Sequence, residues 1–587
     1  MEKMKFFSPE TEEEKQDIIR ELTKTSAAFG IDLGTTNSAI SVIPRGTAPI
    51  IIPLKNGKTT MPSCVMWHKD TDTFTIGREA YEQRYKPNCI YSVKRLMQDT
   101  EAMVKLVDGD SEKWMTPAEV SAEILKGLIA ETGGVYGDIK DVVITVPAKF
   151  NEIGRSNTKK AAELAGLNLL GIIAEPTSAS MCYELAPKDG GSRDLLVYDL
   201  GGGTFDISLV RITGTQDFSA FEDVYNIPKD LRKEKTDTTI RALDGDGDIH
   251  LGGDDIDLQI YENLVNELQQ RGVNTDLISE EERNRVILLI EQAKKGNPHD
   301  LVTVEMHLSD GTAHKTAISY KQLKAGLIPT YDKAKALVKQ VLQRNRTNAD
   351  AIVLVGGSTK NPILKELLQE DFPGYEINDA FPQDEAVALG AGIHARYLKF
   401  GDNNISVFDN LVDSIGVCNG SEVSVIIPSG SQFPVTKCKL YQTVEVNQKE
   451  ISVDIVQGNS SLVEETCQLG TLLIDNLPEG NPGDVEIKIQ LAIDVRGLLK
   501  CSVVIYNIND IEHQIRRDLE LKLSAGNAPS AKLSKEDKIK IRWRNFAEKL
   551  EESDKIEFLK MVDAYPTSCS IETIQKRMKD LMNKRVI

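Results

Sequence analysis

From Ala27 to about Lys399, short apolar runs such as "AAFGIDL", "DVVITVP", "LLVYDL" and "AIVLVGG" alternate with stretches of helical period, among them "AEVSAEILKGLIAET" and "RSNTKKAAELAGL". Such alternation predicts α/β layers over residues 27–399. Turn-forming residues break the pattern in "FGDNNISVFDN", leaving Ile405, Val407 and Phe408 as isolated apolar points, so 400–410 reads as a linker. Beyond it the period becomes two: "VEIKIQLAIDV" alternates apolar and polar from Val485 to Val495, predicting an antiparallel β-sandwich over 411–526. After "SAGNAPSAKL" the chain turns helical. Ile539, Trp543, Phe546, Ala547 and Leu550 share one face, and Ser534 with Asp537 can cap its start, giving a short helical remnant at 527–587. Residues 1–26 form an extension in which Thr11 and Glu14 can cap one amphipathic helix.

Two strand ends match: "GIDLGTT" (30–36) repeats the Asp, Leu, Gly, small residue, Thr order of "YDLGGGT" (198–204), which implies two related lobes facing each other. A glycine turn after a strand lets consecutive N–H groups converge on an anion and lets a phosphate approach closer than a Cβ permits. The aspartates that precede the glycines, Asp32 and Asp199, would face those phosphates, and hydrated Mg²⁺ is the natural cation to neutralise both. A third turn, "VLVGGST" (353–359), lacks the aspartate and suits a sugar or a base. Glu175, in "IIAEPTSAS", stands at a proline-set turn where a carboxylate can orient a water.

Charge and cysteines narrow the class. With 70 Lys plus Arg against 89 Asp plus Glu, the formal charge of -19 repels phosphate backbones and anionic membranes, so neither nucleic acid nor membrane is expected as a partner. No apolar stretch is long enough to span a bilayer, and the polar, acidic start does not read as a leader; a cytoplasmic protein is expected. The 8 cysteines form no C-x-x-C pair and read as reduced packing thiols.

Taken together, "GIDLGTTNS", "SVKRL", "ITVPAKFN", "IIAEPTSAS", "YDLGGGTFDIS", "HLGGDDID", "IVLVGGST" and "PQDEAVALGAG" resemble the nucleotide-binding domain of the seventy-kilodalton heat-shock chaperones, the DnaK family. "IPSGSQFPVTK", "ISVDIVQGN", "LGTLLIDNLP" and "IDVRGLLKCSV" are similar to its peptide-binding β-domain, so the resemblance runs from Ala27 to Leu533. It implies an actin-like, two-lobed ATPase followed by the sandwich and the helical tail, in a stress-response chaperone that binds extended apolar segments of unfolded polypeptides under the control of ATP hydrolysis. The implied cofactors are ATP or ADP, Mg²⁺ and K⁺, and the implied partners are a J-domain co-chaperone and a nucleotide exchange factor.

By the same resemblance, Gly34, Thr35, Thr36 and Asn37 form one phosphate loop, and Gly201, Gly202, Gly203 and Thr204 the other. Asp32, Glu175 and Asp199 hold Mg²⁺ through water. Lys94 positions the attacking water, with Thr204 and Asp206 beside the γ-phosphate and the monovalent-cation sites. Gly253, Glu291, Lys294, Lys295, Gly356, Gly357, Ser358, Lys360 and Asp384 surround the adenosine. Val444 and Ile451 match the peptide cleft and its arch, with ordinary β-core positions as the equal alternative.

The chain departs from the family in several places. Pro298 stands where a serine is usual, Lys360 where a stacking arginine is usual, and Lys149 where an aromatic follows the hinge Pro147; weaker adenosine binding is expected, since lysine offers no planar face. The linker lacks the family's leucine run, which predicts weaker docking. "DGDGD" lacks the spaced twelfth-position Glu of a calcium loop. The tail is too short to form both a brace and a latch, so fast peptide release is expected. Two other readings share the phosphate loops: an actin-fold small-molecule kinase, which needs no sandwich, and a non-cycling binding homologue, suggested by the altered adenosine contacts.

Overall fold

In the computed structural model the described residues are 27–43, 49–99, 101–134, 136–182, 191–214, 238–346, 349–379, 382–401, 405–519 and 552–564, with 573, 574 and 577. The expected amino-terminal helix and most of the helical remnant lie outside them; the helix Glu552–Ala564 lies within.

Two sheets repeat one topology. In the first, the strand Phe29–Asp32 pairs antiparallel with Asn37–Val42 on one side and parallel with Asp141–Val146 on the other, which in turn pairs parallel with Asn168–Ala174. In the second, Ser192–Leu200 pairs antiparallel with Phe205–Gly214 and parallel with Ala351–Val355, and the latter parallel with Glu376–Asn378. Val142, Val143, Ile144 and Val146 are all fully buried because helices cover both faces, the setting in which a parallel strand reads as a continuous apolar run. One face of the second sheet carries a core with the helices Gly253–Gln270, Glu280–Lys295 and Tyr320–Asn345. The helix Ala386–Phe400 crosses from the second half of this region to pack on Phe29–Asp32 and on the short helix Glu175–Ser180. Gly30 faces the backbone of Gly392 there, with no room for a side chain.

The second sheet continues past its own half. Phe205–Gly214 pairs with Thr238–Asp248, which pairs parallel with Ile405–Asn410, so the linker is a strand of this sheet. The structure therefore has the linker docked: a backbone ladder from Thr238 to Arg241 supplies bonds that owe nothing to leucine, while Val407 packs against the neighbouring core. Lys149 reaches Asp246 on the same strand at 3.2 Å. Asp244 and Asp246 are also bound by Arg344 at 3.0 and 2.9 Å, so these two acids of "DGDGD" are engaged in internal ion pairs.

Beyond the linker, two four-stranded antiparallel sheets share one core. One is ordered Glu422–Ile427, Ile415–Asn419, Ile451–Gln457, Cys467–Ile474; the other Val435–Gln442, Val485–Ile493, Leu499–Asn507, Asp510–Leu519. Along Val485–Ile493 every second residue is buried, as the period-two pattern predicts. Cys64, Cys89, Cys182, Cys438 and Cys501 carry free thiols. No helix among the described residues is long and apolar enough to cross a membrane.

Candidate active site

A cleft of about 440 Å³ opens where the carboxyl ends of the two repeated hairpins face each other. Most residues singled out by the sequence line it: Asp32, Gly34, Thr35, Thr36, Asn37, Lys94, Glu175, Asp199, Gly201, Gly202 and Thr204 at one end, and Gly253, Glu291, Lys294, Lys295, Gly356, Gly357, Ser358, Lys360 and Asp384 at the other. Gly203 and Asp206 stand just behind its wall, and Val444 and Ile451 lie far away in the sandwich.

Each half supplies an acid at a strand end. Asp32 closes its strand and accepts a hydrogen bond from the Thr145 hydroxyl at 2.9 Å. Asp199 stands next to last in its strand, opposite Asp206 in register. Glu175 opens the short helix after Asn168–Ala174. Lys94, in the turn Val93–Leu96, is 5 % exposed and its ammonium meets the Glu175 carboxylate. One buried cation thus faces three buried carboxylates, Glu175, Asp199 and Asp206, and the part-buried Asp32. Burial raises Asp32 to about 6, helped by Glu175, against the pull of Lys94. Asp206 rises to about 8, again through burial first and Glu175 second. Asp199 is raised well above the usual range by burial and by Glu175, Asp206 and Asp32. Burial disfavours the Lys94 ammonium, but Glu175 and Asp32 outweigh it and the net shift is upward.

So much negative charge calls for a cation. Among the described residues no three acids come close enough together to ligate a bare ion, so the donor set fits a hydrated Mg²⁺ held through its waters. Thr35 and Thr36 line the cleft, and their hydroxyls are buried with no hydrogen-bond partner among the described residues.

The structure revises the reason for two of the glycines. A Cβ on Gly202 would strike the Thr36 side chain, and one on Gly203 that of Thr35. These residues are glycine because the two loops interlock.

At the far end, Glu291 accepts from Tyr81 at 3.1 Å and Lys295 at 2.6 Å. Lys294 is buried against Asp257 and the Gly253 carbonyl, both at 2.8 Å, so its ammonium is committed to the protein. Lys360 pairs with Asp384 at 2.6 Å and the Ser358 hydroxyl donates to the Gly201 carbonyl at 2.8 Å.

Four contributors escape sequence reasoning. Tyr81 reaches Glu291 across the cleft. Arg95 bridges the halves through the Gly203 carbonyl at 2.8 Å and Asp255 at 2.9 Å. Asp257 anchors Lys294. Asp409, on the docked linker, accepts from the Ala174 N–H at 3.0 Å and the Thr177 hydroxyl at 2.9 Å, on either side of Glu175. Arg95 has a signal in its place in "SVKRL" and Asp257 in its place at the end of "HLGGDDID".

Comparison with known proteins agrees with this geometry. The family model described as Hsp70 protein matches residues 28–219 and 236–584. The chaperone protein dnaK of Cyanidioschyzon merolae is 31% identical over 506 residues, covering 80% of this chain and 78% of that protein. The chaperone protein DnaK of Mycoplasmoides gallisepticum is 33% identical over 490 residues, covering 80% of this chain and 77% of its own. With two repeated halves facing each other across a cleft lined by carboxylates and these matches along most of its length, the chain belongs to the Hsp70 family and is an ATPase and ATP-dependent chaperone.

Proposed function

We propose that the protein is an actin-like two-lobed ATPase coupled through residues 400–410 to a β-sandwich that holds extended apolar peptide. The observation that carries this reading is Asp409, which ties the docked linker to the turn bearing Glu175. Gly34 to Asn37 and Gly201 to Thr204 bind the phosphates, while Gly253, Glu291, Lys295, Gly356, Gly357, Ser358, Lys360 and Asp384 surround the nucleoside. Asp32, Glu175 and Asp199 hold hydrated Mg²⁺, which when bound supplies charge neutralisation at the phosphates. Lys94, fixed by Glu175, orients the water for in-line attack on the γ-phosphate, and Thr204 and Asp206 flank that position, where a K⁺ ion fits.

Hydrolysis changes the contacts around Glu175, and the hydrogen bonds at Ala174 and Thr177 pass that change to the linker. A docked linker holds the sandwich against the ATPase region, through the Ile172 N–H to the Arg496 carbonyl at 2.8 Å and the Glu152 N–H to Gln457 at 2.7 Å. Peptide affinity and nucleotide state are then linked reciprocally. Val444 is 66% exposed, as an arch residue over a groove would be, and Ile451 lies at the edge of the sandwich core. A peptide lying there as a strand is held by backbone bonds and is tolerated in many sequences. A J-domain co-chaperone and an exchange factor complete the cycle, in a cytoplasmic setting.

Steady-state ATP turnover with and without an extended apolar peptide tests the coupling. Peptide should accelerate turnover several-fold; turnover that ignores peptide and rises with a small hydroxylated substrate would favour the kinase.

A further inference from the structure

The polar groups at the nucleoside end of the cleft are bound to one another. The Lys294 side chain, 6% exposed, is held by Asp257 and the Gly253 carbonyl. The Ser358 hydroxyl donates to the Gly201 carbonyl, and the Asn361 side-chain oxygen accepts from the Ile363 N–H at 2.9 Å. Glu291 receives Tyr81 on one oxygen and Lys295 on the other. Lys360 and Asp384 pair with each other, and with the Lys360 side chain 45% exposed and that of Lys295 57% exposed, both ammoniums also stand in water. Among the described residues, the side-chain oxygens of the cleft that are buried without a hydrogen bond are the Thr35 and Thr36 hydroxyls, in the phosphate loop, and one oxygen each of Asp257 and Asp384, which face the Lys294 and Lys360 ammoniums at 2.8 and 2.6 Å.

A site rejects the wrong base strongly when that base leaves a buried polar group unpaired. A group that the protein already satisfies, or that water reaches, exacts no such penalty. The Gln383 carboxamide, which also lines this end, turns to offer either an acceptor or a donor. Ribose and triphosphate are common to all nucleotides, whereas adenine and guanine exchange donor for acceptor at the six-position. We propose that the cleft holds the ribose and the triphosphate without reading the base, so that the chain binds and hydrolyses GTP as it does ATP. This rests on the placing of the nucleoside at this end, proposed above. The step is the same for both substrates: the oxygen of a water bonds to the γ-phosphorus, the bond from that phosphorus to the bridging oxygen breaks, and the nucleoside diphosphate leaves with the electron pair. One proton of the water stays on the inorganic phosphate and the other passes to solvent.

The test uses the full chain with Mg²⁺. Calorimetric titration with the non-hydrolysable imido analogues of ATP and of GTP, beside steady-state hydrolysis of the two triphosphates, should give dissociation constants and kcat/KM values that agree within about tenfold. A larger preference for either base, in either measure, would overturn the inference. Hydrolysis of both triphosphates should fall together in Lys94→Ala, and GTP turnover that survives there would overturn GTP as a substrate of this cleft. Lys360→Ala and Asp384→Asn each break the pair at the nucleoside end and should weaken both analogues by a common factor, leaving their ratio within about threefold of the parent's. A variant that moves the ratio further would show that its residue reads the base, which would equally overturn the inference. Analogues that bind both variants as tightly as the parent would instead fault the placing of the nucleoside at this end, and the inference with it.

Discussion

Lys94 is the one cation buried among Asp32, Glu175, Asp199 and Asp206, so removing it should damage the reaction more than the binding. Lys94→Ala is expected to bind Mg²⁺-ATP within a few-fold of the parent while single-turnover hydrolysis falls on the order of 10²-fold or more, the usual scale for losing one positioned electrostatic group. A nucleotide titration beside the single-turnover assay separates the two; parental hydrolysis would remove Lys94 from its assigned role. At this scale the sequence was most legible where a charged residue ended an apolar strand before glycine, as at Asp32 and Asp199. Tyr81 and Asp257 carry no such mark. They act from helices whose composition is that of any half-buried surface, and only the fold brings them to Glu291 and Lys294.

The helix Ala386–Phe400 holds a buried titratable group that the reaction does not use. His394 is 4% exposed, and burial lowers it to about 4. The unfolded chain, with a value near the ordinary 6.5, binds a proton that the native state refuses, so stability is present above about 6.5 and is lost as the pH falls toward 4. The full penalty is ~3 kcal/mol. His394→Leu should flatten that limb in urea denaturation at pH 7 and pH 4.5; equal slopes in both proteins would assign the acid sensitivity elsewhere. The linker strand gives the second expectation at this scale. Asp409→Ala leaves the Ala174 N–H and the Thr177 hydroxyl unmet, a loss of about 1–3 kcal/mol, or on the order of tenfold to a hundredfold in the docking equilibrium. Hydrogen exchange at 405–410 in the ATP-analogue state should rise accordingly, and peptide stimulation of turnover should fall with it; unchanged exchange would show that the backbone ladder suffices. Sequence reading named this segment a linker but could not foresee its place in the sheet. A short strand held through its backbone between two neighbours needs no apolar run, so Ser406 and Asp409 look like loop residues until Thr238–Arg241 on one side and Gln432–Phe433 on the other are seen beside the strand.

At the scale of the whole molecule, the described contacts between ATPase region and sandwich include the Ile172 N–H to the Arg496 carbonyl, the Glu152 N–H to Gln457, the Arg155 guanidinium 5.5 Å over the Phe433 ring, Ile153 against the sandwich core and Leu498 against Met97, Val146, Phe150 and Ile172. Interdomain contacts permit relative motion unless they are large and hydrophobic. Exchanging the ATP analogue for ADP should expand the protein, read as a larger radius of gyration by small-angle scattering, with exchange protection lost together at residues 171–172 and 405–410. Identical scattering curves in the two nucleotide states would mean that docking is constitutive. The organisation into strands, linker and sandwich was readable because buried parallel strands and half-exposed antiparallel ones leave different periods. How the parts meet was not, because single hydrogen bonds such as that of the Glu152 N–H leave none. The grip of Asp409 on Ala174 and Thr177, to either side of Glu175, bears on genetics. A screen for alleles that fail to turn over ATP should return linker changes among the catalytic ones, and suppressors of a linker allele should map to the neighbourhood of Glu175, although Asp409 lies 234 positions further along the chain (409 − 175).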